Sequence, residues 1–135
     1  MPDCIFCKIG KKEVKVLIVA ESENFIGFLD VQPRSPGHSL VIPKRHFDNF
    51  VSLDLNLAQE FVKICQETIK KIGRGLNAND FTLGVNEGEL AGQAVHHFHF
   101  HVIPRFKHDR GGSIHSVVFN EPVESVEEIY SKIIK

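Results

Sequence analysis

His97, His99 and His101 alternate with Phe98, Phe100 and Val102 in this 135-residue chain. Such alternation predicts a β-strand, in which side chains at i, i+2 and i+4 share one face. The expected strand sets three imidazoles on one side, roughly 6.6–6.8 Å apart, and sends Phe98, Phe100 and Val102 into the core on the other. Placing three imidazoles next to a core costs desolvation, so packing alone does not account for them. Two chemistries fit. A neutral imidazole with a free lone pair is a nucleophile, and its neighbours can meet the charge of a phosphate. Alternatively, three imidazoles chelate zinc and activate water.

Just upstream lies Ala91-Gly92-Gln93-Ala94-Val95. A glycine-containing loop entering a histidine strand can aim backbone N–H groups at an anion. Gly92 permits close approach, Gln93 adds side-chain donors, and Asn86 can reach a ribose or a phosphate oxygen. Cys4 and Cys7 stand in the C-x₂-C spacing of a zinc half-site, which lacks two of its four ligands.

These residues need a scaffold, and the pattern supplies one. Val16–Ala20 and Phe25–Leu29 read as strands joined by the turn Glu21–Asn24. Ser39–Ile42 and Phe81–Val85 are further strands, with loops at Gln32–Gly37 and Asn86–Gln93. Leu57, Phe61, Ile64, Cys65, Ile69 and Ile72 recur at helical spacing. Ser52 or Asp54 should cap that helix, and Gly73 or Gly75 should end it. Ser125-Val126-Glu127-Glu128 is a capping box opening a short helix through Ile134. Short connections between several strands favour an antiparallel sheet with helices packed on it, an α+β class, in a single domain over 1–135.

Composition narrows the function. The net charge of −1 provides no broad basic field, so direct nucleic-acid binding is not expected. No apolar run is long enough to span a membrane. Asp3 and the two nearby cysteines do not suit a signal peptide. Three cysteines do not make a disulfide framework, which favours a cytoplasmic protein with thiol or metal chemistry.

The run Gly92-Gln93-Ala94-Val95-His96-His97-Phe98-His99-Phe100-His101-Val102-Ile103 resembles the signature of the histidine triad (HIT) family of nucleotide hydrolases and transferases. Cys4-Ile5-Phe6-Cys7-Lys8-Ile9, Phe28-Leu29-Asp30-Val31, Pro36-Gly37-His38 through Pro43-Lys44-Arg45-His46, and Val85-Asn86-Glu87-Gly88 resemble its Hint-like and bacterial-type branch. The likeness spans residues 4 to 106.

The resemblance implies a five-stranded antiparallel sheet with one long helix and a short C-terminal helix. It makes His99 the nucleophile that attacks the α-phosphorus of a purine nucleotide adduct, forming a nucleotidyl-histidine that water resolves to AMP. His101 would donate to the phosphate oxygens, beside backbone N–H groups of residues 92–95. His38 would assist the leaving group, and Asp30 would accept from the ribose hydroxyls. Ile5, Phe6, Ile9, Val14, Phe28 and Val31 would wall the purine pocket. Position 94 is often serine in the Hint-like branch and is Ala94 here, so that hydroxyl's role does not carry over. His46 and His97 would complete a structural zinc site with Cys4 and Cys7; the chemistry itself needs no cofactor. The family usually pairs as homodimers, here through the helix around Leu57–Ile72 and the strand near Phe81. Substrates implied are nucleoside phosphoramidates and related adenylyl adducts, or diadenosine polyphosphates. A zinc-dependent hydrolase and a nucleotide-binding interaction protein are the alternatives. His108 and His115 receive no role.

Overall fold

In the computed structural model, residues 3–135 are described. Five strands form one antiparallel sheet: β1 (Ile18–Glu21), β2 (Phe25–Leu29), β3 (Ser39–Pro43), β4 (Asp80–Gly84) and β5 (Phe100–Arg105), in the order β1-β2-β3-β5-β4. Three helices accompany them: α1 (Ile5–Gly10), α2 (Ala58–Leu76) and α3 (Val126–Ile133). The expected α+β architecture is therefore the observed one.

The α2 stripe of Phe61, Ile64, Cys65 and Ile72 closes over one face of the sheet. There it meets Phe25, Val41, Phe98 and Val102, all without solvent exposure. The opposite face carries a second cluster of Phe6, Ile9, Ile26, Phe28, Leu40 and Ile42, roofed by α1. Every residue of β3 is buried, because both faces of that strand are covered. The histidines lie along the α1 side of the sheet, so α1 and α2 have separate tasks.

Several boundaries differ from the sequence expectation. Asp54 caps a 3₁₀ turn over Leu55–Leu57 that leads into α2, and its side chain accepts the N–H of Asn56. The helix passes through Gly73 and Gly75 and stops at Asn77, which is left-handed at φ 53°. The glycine penalty of about 1 kcal/mol each is outweighed by burial of Ile72 against the sheet. Gly73 serves the return of the chain instead: a Cβ there would lie 2.9 Å from the Ala78 carbonyl oxygen. The helix α1 was not foreseen, since a six-residue segment is too short for periodicity to reveal. Ser125 and Glu128 form the expected capping box of α3, which ends at Ile133 and buries no residue.

The histidine strand is also shorter than the alternation suggests. Ladder pairing begins at Phe100, opposite Val41, with His101 flanked by Leu40 of β3 and Gly84 of β4. Residues 97–99 approach it outside the ladder, tied by the Phe98 N–H to the Phe47 carbonyl at 2.6 Å. The His97 carbonyl is withdrawn from strand pairing because a side chain, His99 Nδ1, takes it at 2.8 Å.

Phe98 joins the two halves of the main core, 5.4 Å from the Phe61 ring and 5.8 Å from the Phe50 ring. Phe98→Ala should cost about 3–5 kcal/mol in urea unfolding, while Val123→Ala at a fully exposed position should stay within about 0.5 kcal/mol.

Candidate active site

The hydrogen bonds around the triad assign a proton to each ring. His99 donates from Nδ1 to the His97 carbonyl, which leaves its Nε2 as a lone pair. His38 accepts the Arg34 N–H at Nδ1, 3.0 Å away. A neutral His38 therefore carries its proton on Nε2 and donates it to His101 Nδ1 at 2.9 Å. His101 in turn holds its proton on Nε2, a buried donor with no acceptor among the described residues. The His99 and His101 rings lie 5.3 Å apart. One ring thus offers a lone pair and its neighbour an N–H, which is the pairing needed to attack an electrophile and bind its oxyanion.

Burial keeps His38 and His101 neutral. His101 is pushed down to about 4 by desolvation, with repulsion from His99 and His38 adding and Asp30 opposing. His38 is lowered by the same burial, which outweighs the raising effect of Asp30. Asp30 Oδ2 lies 3.6 Å from His38 Nε2, and its Oδ1 caps the Gln32 N–H. Both His38 nitrogens are engaged within the protein, and the ring's Nε2 hydrogen bond orients His101.

The loop ahead of the triad is a 3₁₀ turn over Glu89–Ala91 closed by Gly92 at φ 96°, a conformation that only glycine adopts without strain. The amides of residues 91, 92 and 93 are spent on Gly88 and Glu89 carbonyls. Those of Ala94 and Val95 meet no acceptor among the described residues. Gln93 departs from expectation. It is buried, with Nε2 donating to the Asp48 and Val95 carbonyls and Oε1 accepting from Gly88. Its side chain braces the loop and has no donor left for an anion. The exposed Asn86 side chain lies beside Gly92.

Phe6 stands edge-on to His99 at 5.0 Å, to His97 at 5.7 Å and to Phe28 at 6.2 Å, making one apolar wall of the site. Ile9 at 4% exposure is core, with Val14 packed against its cluster. Ile5 and Val31 reach solvent at 41% and 88%, the latter from the loop that follows Asp30.

A second constellation sits behind the triad. Donor atoms of Cys4, Cys7, His46 and His97 all lie within 4.8 Å of one another. Cys4 Sγ is 3.4 Å and Cys7 Sγ 3.5 Å from His97 Nδ1, and Cys7 Sγ is 3.4 Å from His46 Nδ1. Both imidazoles turn Nδ1 inward because Nε2 is held elsewhere, by the Pro43 carbonyl at 2.9 Å and by Asp48 at 2.7 Å. Two sulfurs and two imidazoles with outer partners match the donor set of a tetrahedral structural zinc site. The Asp48 and Pro43 contributions were not read from the sequence. His46-Phe47-Asp48 carried a faint signal for the first, and a main-chain carbonyl leaves none.

The HIT domain family model matches residues 11–108. An uncharacterized HIT-like protein of Borreliella burgdorferi is 40% identical, over 98% of this chain and 97% of that one. The adenosine 5'-monophosphoramidase of Schizosaccharomyces pombe is 34% identical, over 96% and 98%. A crystal structure of a HIT family member from Bacillus subtilis superposes with a TM-score of 0.83 at 31% identity, covering 98% and 95% of the two chains.

The depressed value of His101 sets a pH dependence. Between the ordinary 6.5 and about 4, the unfolded chain binds a proton there that the folded chain does not. Stability therefore falls as pH drops through this window, by about 1.4 kcal/mol per pH unit for one such group. Thermal melts should be level above neutrality and decline below it, and His101→Gln should lessen the decline, the remainder coming from His38 and His97, which burial also lowers. A melting temperature insensitive to acid across this range would contradict a neutral buried ring.

Proposed function

The chain belongs to the HIT family, and from that premise we propose that it hydrolyses adenosine 5'-phosphoramidates to AMP through an adenylyl group carried on His99. The carrying observation is the pairing of a free His99 Nε2 with an unsatisfied His101 Nε2–H in one buried site. The Schizosaccharomyces pombe and Saccharomyces cerevisiae relatives named adenosine 5'-monophosphoramidase support this substrate class.

In the first step His99 Nε2 forms a bond to the α-phosphorus, and the P–N bond breaks with its electron pair leaving on nitrogen. The nitrogen departs from its protonated form as a neutral amine. His101 Nε2–H and the amides of Ala94 and Val95 meet the phosphoryl oxygens as charge builds on them. Water then forms a P–O bond, His99 recovers its lone pair, and the second water proton goes to the amine. The Nδ1–H bond to the His97 carbonyl keeps the nucleophile in one tautomer throughout. His38 fixes the tautomer of His101. Phe6, Phe28, Ile5 and Val31 receive the purine and Asp30 the ribose. Diadenosine polyphosphates follow the same chemistry with a phosphate leaving group.

Cys4, Cys7, His46 and His97 would hold zinc, which would supply a structural cross-link between the N-terminal segment and the triad. Its value to the reaction is mechanical, since the main chain of His97 orients the nucleophile. The edge strand β4, together with exposed Val62 of α2 and Leu83 of β4, provides the surface on which a second copy would pair.

His99→Ala should reduce AMP-amide hydrolysis at least about a thousandfold, and quenched wild type should carry an adenylyl mass on His99. Full activity in the variant would overturn the proposal. Elemental analysis should find about one zinc per chain, and Cys4→Ser should lose both metal and melting temperature. Light scattering at micromolar concentration should give a dimer mass.

A further inference from the structure

Beyond His101, the same face of β5 continues to Ile103 and Arg105, with Thr82 of β4 opposite Ile103. The 106–117 segment folds back over these residues and encloses a trough of 290 Å³ with the loop carrying Arg34 and Ser35. None of the reacting groups lies in it. Its Ile103 wall lies one strand repeat beyond His101 on the same face, roughly 6.6–6.8 Å along the chain.

The charges in this trough are unequal in their commitments. Asp109 receives Arg105 Nε and NH2 and the amides of Phe106 and Gly111, which holds its carboxyl well below the usual range. Arg105 is equally consumed, its NH1 going to Thr82 Oγ1 and the Gly112 carbonyl. Arg34 and Arg110 line the trough without an ion-pair partner among the described residues. Ser35 lines it as well, buried to about nine-tenths, with its hydroxyl unpartnered. A buried hydroxyl without a protein partner is costly and leaves a hydrogen bond for a water or a ligand atom to fill. Ile103, Ile114 and Val117 supply apolar walls between these polar groups. Arg110 is fixed in a left-handed backbone at φ 61°, so its position is set by the turn that the Arg105–Asp109 pair closes.

The trough is also wired to the catalytic rings. Arg34 gives its N–H to His38 Nδ1, and Ser35 receives the His38 N–H on its carbonyl at 3.0 Å. The loop that aligns His38 is the loop that lines the trough.

We propose that this trough binds the leaving group, and that Arg34, Arg110 and the Ser35 hydroxyl select leaving groups with a short apolar stem ending in an anion, a carboxylate or a phosphate. The inference rests on the adenylyl-transfer reading above and deepens it by naming the half of the substrate that is expelled. An amine with a terminal carboxylate fits the apolar walls and the two guanidiniums together.

The test compares AMP linked through nitrogen to 4-aminobutyrate with AMP linked to its carboxamide, and adds diadenosine triphosphate as the phosphate arm. Wild type should prefer the carboxylate over the carboxamide by about tenfold in kcat/KM, as expected of one charge-assisted hydrogen bond. In Arg110→Ala and Arg34→Ala the ratio should fall toward one. A fall confined to diadenosine triphosphate would assign the anion to phosphate. Calorimetric binding of the same pair to His99→Ala reads the preference without turnover. If wild type leaves AMP-amide intact while this binding preference survives, the reaction is misassigned and the trough stands. Equal affinity and equal kcat/KM for carboxylate and carboxamide, with diadenosine triphosphate unaffected by either arginine variant, overturns the trough.

Discussion

The hydrogen bond from His99 Nδ1 to the carbonyl of His97 is the constraint around which the site is organised. It decides which nitrogen of His99 is free, and it commits a main-chain carbonyl just ahead of the ladder, which starts at Phe100. A regular strand through residues 97–101 would have paired that carbonyl with another chain segment and left the imidazole free to change tautomer. The backbone irregularity and the reactive lone pair have one cause. His97 is then held from three sides, by the Pro43 carbonyl and by two cysteine sulfurs, so the acceptor itself cannot drift.

A second chain of bonds runs beside the first with the opposite polarity. It starts at the amide of Arg34, passes through His38, and ends at an N–H on His101 that meets no acceptor among the described residues. Main-chain atoms terminate both chains, and backbone groups do not titrate. The protonation pattern is therefore written into the fold, and burial protects it against mild acid.

Much of this was legible beforehand. The alternating histidines, the α2 stripe and the Ser125 capping box follow from periodicity and end chemistry, which are local properties. The pairing of Cys4 and Cys7 with His46 and His97 was legible through likeness to known sequences, because a half-site does not say where its other half lies. The roles of Gln93 and His38 were not legible. A glutamine's donors become unavailable only when two particular carbonyls come near, and a histidine stands behind another only when strands β3 and β5 are in register. The end of α2 was misjudged for a similar reason, since burial of Ile72 overrides a glycine's local preference.

The six residues of α1 have no side-chain cap, and isolated helices of that length are unstable in water. What keeps α1 folded is its seat: Phe6 against the His97 and His99 rings, and the sulfurs of Cys4 and Cys7 against His97. This wall of the site thus forms a small cooperative unit of its own, stitched to the body through sulfur. Alkylating or oxidising those thiols would unseat α1 while the sheet and α2 stay intact, and amide exchange in residues 5–10 would register that partial opening ahead of any global melt.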